Sequence, residues 1–541
     1  MAWLRSNLGI DTRDGELYQT EWVLFRGDPK RNGMAAGDFP LMHFRWRVRT
    51  VLLHKHMEFI DSQREKFLAA GKALIPISQP LVVGDVVLMR TPERVLGVDL
   101  RTGKRIWDYP WFQDSIEFQA DQTSFESYGK SDAERDELTQ RLWEDAPYGQ
   151  LSSDGERVYL LDELEPAPTS AYPQNVFMPR GRGQASDERR HNQLVACQLA
   201  EEGKLKWIVG GATGVDEPQL AGAFFLGPPL PLMGDLFALA EIQGEIRLVV
   251  LDAATGKLKW FQQVAHVAEL TIDVDRTRRL AGAVPSFDDG VLICPTAAGA
   301  CVAIDLATRS FLWGYQYNSS RFVRRYGHVR QQSAADRWLD GTAVISDGCV
   351  VLTPIDSNQL HCLDLLTGQR KWPPLLREKL LFVGGVYDGV IFVVGENVCR
   401  GIRLADGKPA WEDDLALGTS RPSGRGFLSG AFYYLPTTDH KLLKIDIRTG
   451  EVVQESTTDR PLGNLVAYRD QIISYDADQL GCYYQVEALR QLVEKRLKKS
   501  PDDHWALLHR AELLLHDGKQ TEALADLRRA HKLAPDDTMT R

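Results

Sequence analysis

Three sets of residues have types and spacings that bear on chemistry. His54-Lys55-His56 sets two imidazoles on alternate residues, as a metal site might begin. No third ligand stands nearby, and structural zinc takes four, so this segment reads as solvated chain and no metal ligand is assigned. The seven cysteines stand singly, with no Cys-x-x-Cys and no adjacent pair, which removes support for zinc-ribbon and thioredoxin-like chemistry. Cys294 and Cys301 flank Pro295–Ala300 and would face each other across a hairpin. They read as two buried free thiols, with a disulfide as the alternative.

The third set is basic. Arg180, Arg182, Arg189 and Arg190 fall in one stretch, and Arg321, Arg324, Arg325, His328 and Arg330 in another. Together they suggest a rim that binds an anion or a protein partner; against this stands ordinary charge scatter on solvated loops. Gly-x-Ser-x-Gly, His-Glu-x-x-His and a phosphate-binding glycine loop do not occur, so no catalytic or cofactor-binding residue is assigned.

The chain that positions these residues has 541 of them, 43% apolar, with 45 Gly and 13 Trp, which is the composition of a folded protein. A formal net charge of −10 argues against general affinity for nucleic acid or anionic membrane. No stretch approaches the roughly 18 consecutive apolar residues of a spanning helix. The first residues, Met1-Ala2-Trp3-Leu4-Arg5, lack the apolar core of a signal peptide, so the chain as written carries no export signal.

One phrase recurs: an acidic residue, two or three others, Thr-Gly-Lys or a relative, then Trp. It runs from Asp99 to Trp107 and from Asp252 to Trp260, with variants ending at Trp207, Trp313, Trp372 and Trp411. Before Trp313 the glycine is replaced by Arg309, and after Asp446-Ile-Arg-Thr-Gly450 the Trp position holds Gln454. Alternating apolar residues such as Leu96, Val98 and Leu100 mark a strand, Thr-Gly a tight turn, and the Trp a second strand. Upstream turns at Gly84-Asp85, Asp154-Gly155, Asp289-Gly290, Asp347-Gly348 and Asp388-Gly389 add two more strands to each unit. Four antiparallel strands repeated about every 40 residues describe an all-β propeller.

The phrase resembles the tryptophan-docking motif of PQQ-repeat, or quinoprotein-like, propellers, and Trp22 to Gly33 resembles the opening segment of that family. The resemblance covers residues 22–486 and implies that Trp46, Trp107, Trp207, Trp260, Trp313, Trp372 and Trp411 dock neighbouring blades. Eight blades are expected, with seven as the alternative. The last unit, Leu465 to Tyr484, lacks an outer strand, and residues 41–50 are expected to supply it, with Trp46 as its docking residue.

Residues 1–21 read as an extension. Beyond 486 the period changes: a basic helix follows, then residues 487–541 pattern as a small α-helical hairpin that resembles one tetratricopeptide unit. The long insertions, 112–150, 163–190, 264–281 and 318–335, all map to one face of the propeller. That decorated face and its central mouth are the expected working surface, and the face bearing the tight turns is expected to be plain.

The resemblance implies two functions. One is a non-catalytic protein-binding or assembly scaffold, BamB-like, with other proteins as partners and no cofactor. The alternative is a PQQ- and Ca²⁺-dependent alcohol or sugar dehydrogenase. Many alcohol-oxidising members carry an adjacent Cys-Cys pair, which is missing here. The resemblance also suggests the periplasm or cell envelope.

Overall fold

In the computed structural model, which describes residues 10–13, 16–19, 21–110, 127–162, 190–267, 270–319, 322–325, 328–331 and 337–535, the repeated phrase folds around its own acidic residue. The Asp99 carboxylate accepts the backbone N–H and the hydroxyl of Thr102, both at 2.7 Å. Asp252, Asp305 and Asp364 hold Thr255, Thr308 and Thr367 in the same way. The side chain thus satisfies turn N–H groups that the hairpin leaves open.

Eight antiparallel sheets result. Their inner strands are Leu81–Val83, Ser152–Ser153, Phe224–Phe225, Ser286–Asp288, Val344–Ser346, Leu380–Tyr387, Phe427–Ser429 and Asn464–Tyr468, which open blades 1 to 8 in turn. Blade 8 takes its outer strand from the other end of the chain: Pro40–Arg49 pairs antiparallel with Gln479–Gln485, and Trp46 lies opposite Cys482. The ring therefore has no unpaired gap between its first and last blades.

Six of the outer Trp residues rest on the glycine turn of the next blade, Thr-Gly in four cases, Glu202-Gly203 and Asp406-Gly407 in the others. Gly103 has φ of 70°, and a Cβ there would come within 2.5 Å of the Trp46 indole. The same relation joins Trp107 to Gly203, Trp207 to Gly256, Trp313 to Gly368, Trp372 to Gly407 and Trp411 to Gly450. The indole N–H of Trp46 donates to Leu100 O at 2.8 Å, that of Trp313 to Leu365 O at 2.9 Å, and that of Trp411 to Ile447 O at 2.8 Å. Trp260 is the exception. Arg309 stands where the glycine would, at φ of 57°, and its guanidinium covers the half-buried Trp260 ring at 5.1 Å. Gln454 replaces Trp in blade 7 for a topological reason: at that position blade 8 has no turn to dock on, since its outer strand arrives from the N-terminal side.

Among the described residues, seven α-helices sit outside the sheets: α1 (His54–Ala69), α2 (Ser127–Trp143), α3 (Ala146–Gly149), α4 (Arg276–Arg279), α5 (Val486–Lys499), α6 (His504–His516) and α7 (Gln520–Leu533). The last three form one unit packed on blade 8 through Leu41, Tyr484, Leu489, Val493 and Leu513. Arg510 ties α6 to α7 through Asp526 at 2.6 and 2.7 Å. All seven cysteines are buried free thiols, Cys294 and Cys301 among them.

Removing a fully docked indole leaves a cavity at a blade interface, so Trp46→Ala is expected to lower unfolding stability by about 3–5 kcal/mol. Trp260→Ala, at the half-open interface, is expected to cost clearly less. Urea denaturation of both variants checks this; equal losses would show that docking at the ring closure carries no special weight.

Candidate functional site

The segment from Trp22 to Asp38 runs as a lace around the inner strands on the side of the Asp-Gly turns. Trp22 bridges Val82 of blade 1, and Ser153 of blade 2 donates its N–H to Val23 O at 2.9 Å. Phe287 of blade 4 donates to Pro29 O at 2.8 Å, and Ile345 of blade 5 to Lys30 O at 2.9 Å. The Asn32 amide exchanges both of its bonds with the Val386 backbone of blade 6, at 2.9 and 2.8 Å. Ala35 donates to Leu428 O of blade 7 at 2.8 Å, and Asp38 to Gln485 Oε1 of blade 8 at 3.0 Å. Pro29 suits this path because it has no N–H to satisfy.

The lace brings arginines onto the propeller axis. Arg31 donates to Phe25 O and Pro285 O, each at 3.0 Å, and Arg26 to Val383 O at 2.6 Å. Arg425, in the lead to blade 7, donates to Pro76 O at 3.0 Å. Buried Asp340 lies 3.8 Å from both Arg26 and Arg425. Burial holds Arg31 down to about 10, and Arg425 also lies below its ordinary value for the same reason.

At the opposite end, two segments cross the mouth. The stretch after α1 passes blades 7 and 6 before entering blade 1: Arg421 Nε donates to Gly71 O at 2.7 Å, and Ala73 N–H to Glu396 Oε2 at 2.6 Å. The α2–α3 stretch lies against it, with Ile77 N–H donating to Leu142 O at 2.8 Å, and it reaches the link between blades 3 and 4 through the Glu144–Arg276 pair. Tyr148 in α3 is clasped by Arg90 and Arg141, each 3.9 Å from its ring centroid. Arg278 is fully buried between Glu241 at 2.7 Å and Asp275 at 2.6 Å. Such a pair sets geometry more than it adds stability, because both charges lose their water.

Two expectations are corrected here. The central mouth is not an open working surface, since the 70–80 stretch and α2–α3 pack across it. The turn face is not plain: the lace lies at its centre, and α5 leaves blade 8 on that side, because Gln485 ends the third strand beside Asp470. Both misreadings share a cause, for neither segment has a periodicity that says where it docks.

Of the basic residues singled out from the sequence, Arg190 lies at this face, 3.5 Å from Asp273 of the link between blades 3 and 4. Arg324, Arg325, His328 and Arg330 lie on a two-stranded hairpin, Phe322–Arg325 with His328–Gln331. Arg180, Arg182, Arg189 and Arg321 lie outside the described residues. Arg26, Arg31 and Arg425 were not singled out. For Arg425 a signal existed, since Gly424-Arg425-Gly426 stands directly before the inner strand of blade 7, whereas Arg26 and Arg31 lie in a segment without a repeat.

The axis bears on the quinone cofactor and cation of related folds. A hard cation needs several converging oxygens. Here the axial carboxylate of Asp340 is shared by two guanidiniums, whose charge repels a cation, and among the described residues no three His, Cys, Asp or Glu side chains converge to hold a metal. The residues on the axis do not fit a PQQ–Ca²⁺ pair.

A family profile described as outer membrane protein assembly factor BamB matches residues 191–334 and 324–469. Similar solved structures include BamB from Moraxella catarrhalis, at 14% identity over 75% of this chain and 96% of that one, with a TM-score of 0.43. A europium-containing methanol dehydrogenase matches at 14% identity over 95% of each chain, with a TM-score of 0.47. A quinohemoprotein alcohol dehydrogenase from Comamonas testosteroni matches at 11% identity over 89% of this chain and 82% of that one, with a TM-score of 0.49. No curated protein sequence matches.

The lace makes a pH prediction. Burial beside the blades raises the Asp28 carboxyl from 3.8 to about 6. Between about pH 4 and 6 the folded chain keeps a proton that the unfolded chain has released, so this group's contribution to stability falls as pH rises through that window. Asp28→Asn cannot ionise, so its unfolding midpoint should gain on the parent's from pH 4 to 6 and run level above. A constant difference across that range would count against the lace as the seat of this group's titration.

Proposed function

Because the chain belongs to the PQQ-repeat propeller family described as outer membrane protein assembly factor BamB, we propose that it is a non-catalytic scaffold that binds other proteins in assembly at the cell envelope. The observation that carries this reading is the filling of the axis by the chain itself. The lace lies across one end, Arg26, Asp340 and Arg425 between, and α2–α3 across the other. A redox cofactor would need that space and a cation site beside it.

Binding then belongs to the periphery of the link face, where the insertions emerge around Arg190 and the hairpin bearing Arg324 and Arg330. Loops held by a rigid ring can be shaped for a partner without disturbing the blades. The helical unit on blade 8, read as tetratricopeptide-like, adds a second protein-binding element on the other side of the ring.

Two measurements test this. Calorimetric titration with PQQ plus Ca²⁺, and with PQQ plus a lanthanide, followed by dye-linked oxidation of an alcohol and sugar panel, is expected to give no turnover; stoichiometric binding with turnover would make the protein a dehydrogenase. A photo-crosslinking residue at position 190, compared with one at exposed position 453 on the outer edge of blade 7, is expected to give a discrete protein adduct in cells only from 190. Adducts from neither, or equally from both, would remove the link face as the docking surface.

A further inference from the structure

Between the lace and the blades lies a small cavity of about 30 Å³ whose charge its protein neighbours do not balance. Arg26, Arg31 and Arg425 line it together with Gln79, Trp22 and Tyr433, and none of its lining residues is acidic. The carboxylates stand behind the arginines: Asp340 lies 3.8 Å from Arg26 and Arg425, and Asp28 attracts Arg31. Three guanidiniums face two carboxylates, so one positive charge is left over among buried groups. Burying a cation without a partner is costly.

The hydrogen bonds point the same way. The outer nitrogens of Arg31 and Arg425 are tied to main-chain carbonyls of Phe25, Pro285, Pro76 and Leu339, which fixes both guanidinium planes. The Nε of Arg31 and the indole Nε1 of Trp22 are buried without an acceptor, whereas the Nε of Arg425 faces Asp340 Oδ2 at 3.8 Å, and Gln79 Oε1 lacks a donor. Two donors with no acceptor, beside a cavity with surplus positive charge, suit a ligand that is negative and rich in oxygen. The depressed pKa values of Arg31 and Arg425 agree, since they mark cations whose lost hydration is not made good.

We propose that this axial cavity is a binding site for a small oxyanion, of the phosphate, sulfate or short-carboxylate class, held by Arg26, Arg31 and Arg425 with the Trp22 indole N–H. Trp22, Arg26 and Arg31 belong to the lace and Arg425 to blade 7. The anion therefore ties the N-terminal segment to the ring, and its occupancy strengthens the closure. This inference does not depend on the scaffold reading, because the anion is a structural ligand and undergoes no reaction.

The test uses the full chain at constant ionic strength, with sodium chloride as reference and sodium phosphate, sulfate, acetate or PQQ exchanged in. One of the first three is expected to raise the thermal midpoint of the parent by a few degrees with saturation, as mass action requires for a ligand of the folded state, and the arm with the largest rise names the anion. Arg425→Gln and Arg26→Gln should weaken the apparent affinity at least tenfold. Crystals of the parent soaked in sodium selenate should show anomalous density between Arg26, Arg31 and Arg425, a readout that does not depend on either variant folding. The proposal is overturned by no rise above chloride, by an equal rise in the variants, by selenate bound at the surface alone, or by a rise with PQQ only. The last outcome would also sink the scaffold reading if turnover accompanied it, whereas the others leave that reading untouched.

Discussion

The structure depends on one contact made again and again: an indole of one blade laid on the backbone of a glycine turn of the next. The contact works because glycine offers no Cβ, so the ring meets bare backbone, and because the indole N–H finds a carbonyl of the same turn. Neighbouring blades share no ladder of strand hydrogen bonds along the rim, so this packing is what holds the wedge angle between blades. Where the pattern breaks, the reason is visible. Arg309 replaces the glycine and covers Trp260 with its own side chain, and blade 7 has no Trp because blade 8 has no turn at that place.

Closure adds a second constraint. With the outer strand of blade 8 drawn from residues 40–49, the chain from Trp22 onward must approach from within the ring, and it does so by lacing the inner strands of successive blades. That path explains why the lace carries polar groups. Its backbone lies between strand ends whose N–H and C=O groups would otherwise be orphaned, and Asn32 serves two of them at once. The same path brings Arg26 and Arg31 to the axis, where they meet Asp340 and Arg425 from the far side of the ring.

The two faces thus do different work. The turn face is taken up by the lace and by the helical unit on blade 8. The link face is closed at its centre by α2–α3 and by the stretch after α1, pinned through contacts such as Glu144 with Arg276 and Ala73 N–H with Glu396. Among the described residues, the hairpin Phe322–Arg325 with His328–Gln331 and Arg190 stand at the edge of the link face, away from this closed centre.

How much was legible before folding follows from the range of each interaction. The acidic–Thr-Gly–Trp phrase is a local device, a turn and its two flanking strands, and its recurrence made the all-β propeller architecture legible in the sequence, with eight blades expected and seven as the alternative. Trp46 was legible too, since a ring with one outer strand missing requires it from elsewhere in the chain. The lace, the packing of α2–α3 across the mouth and the axial arginines were decided only by tertiary structure. Their residues carry no period, and their positions result from contacts between segments hundreds of residues apart, as with Arg26 and Val383 or Asn464 and Pro76. Charge shows the same division: the sequence has a net −10, yet the axis has surplus positive charge, because folding sorts like and unlike charges by place and composition records only their sum.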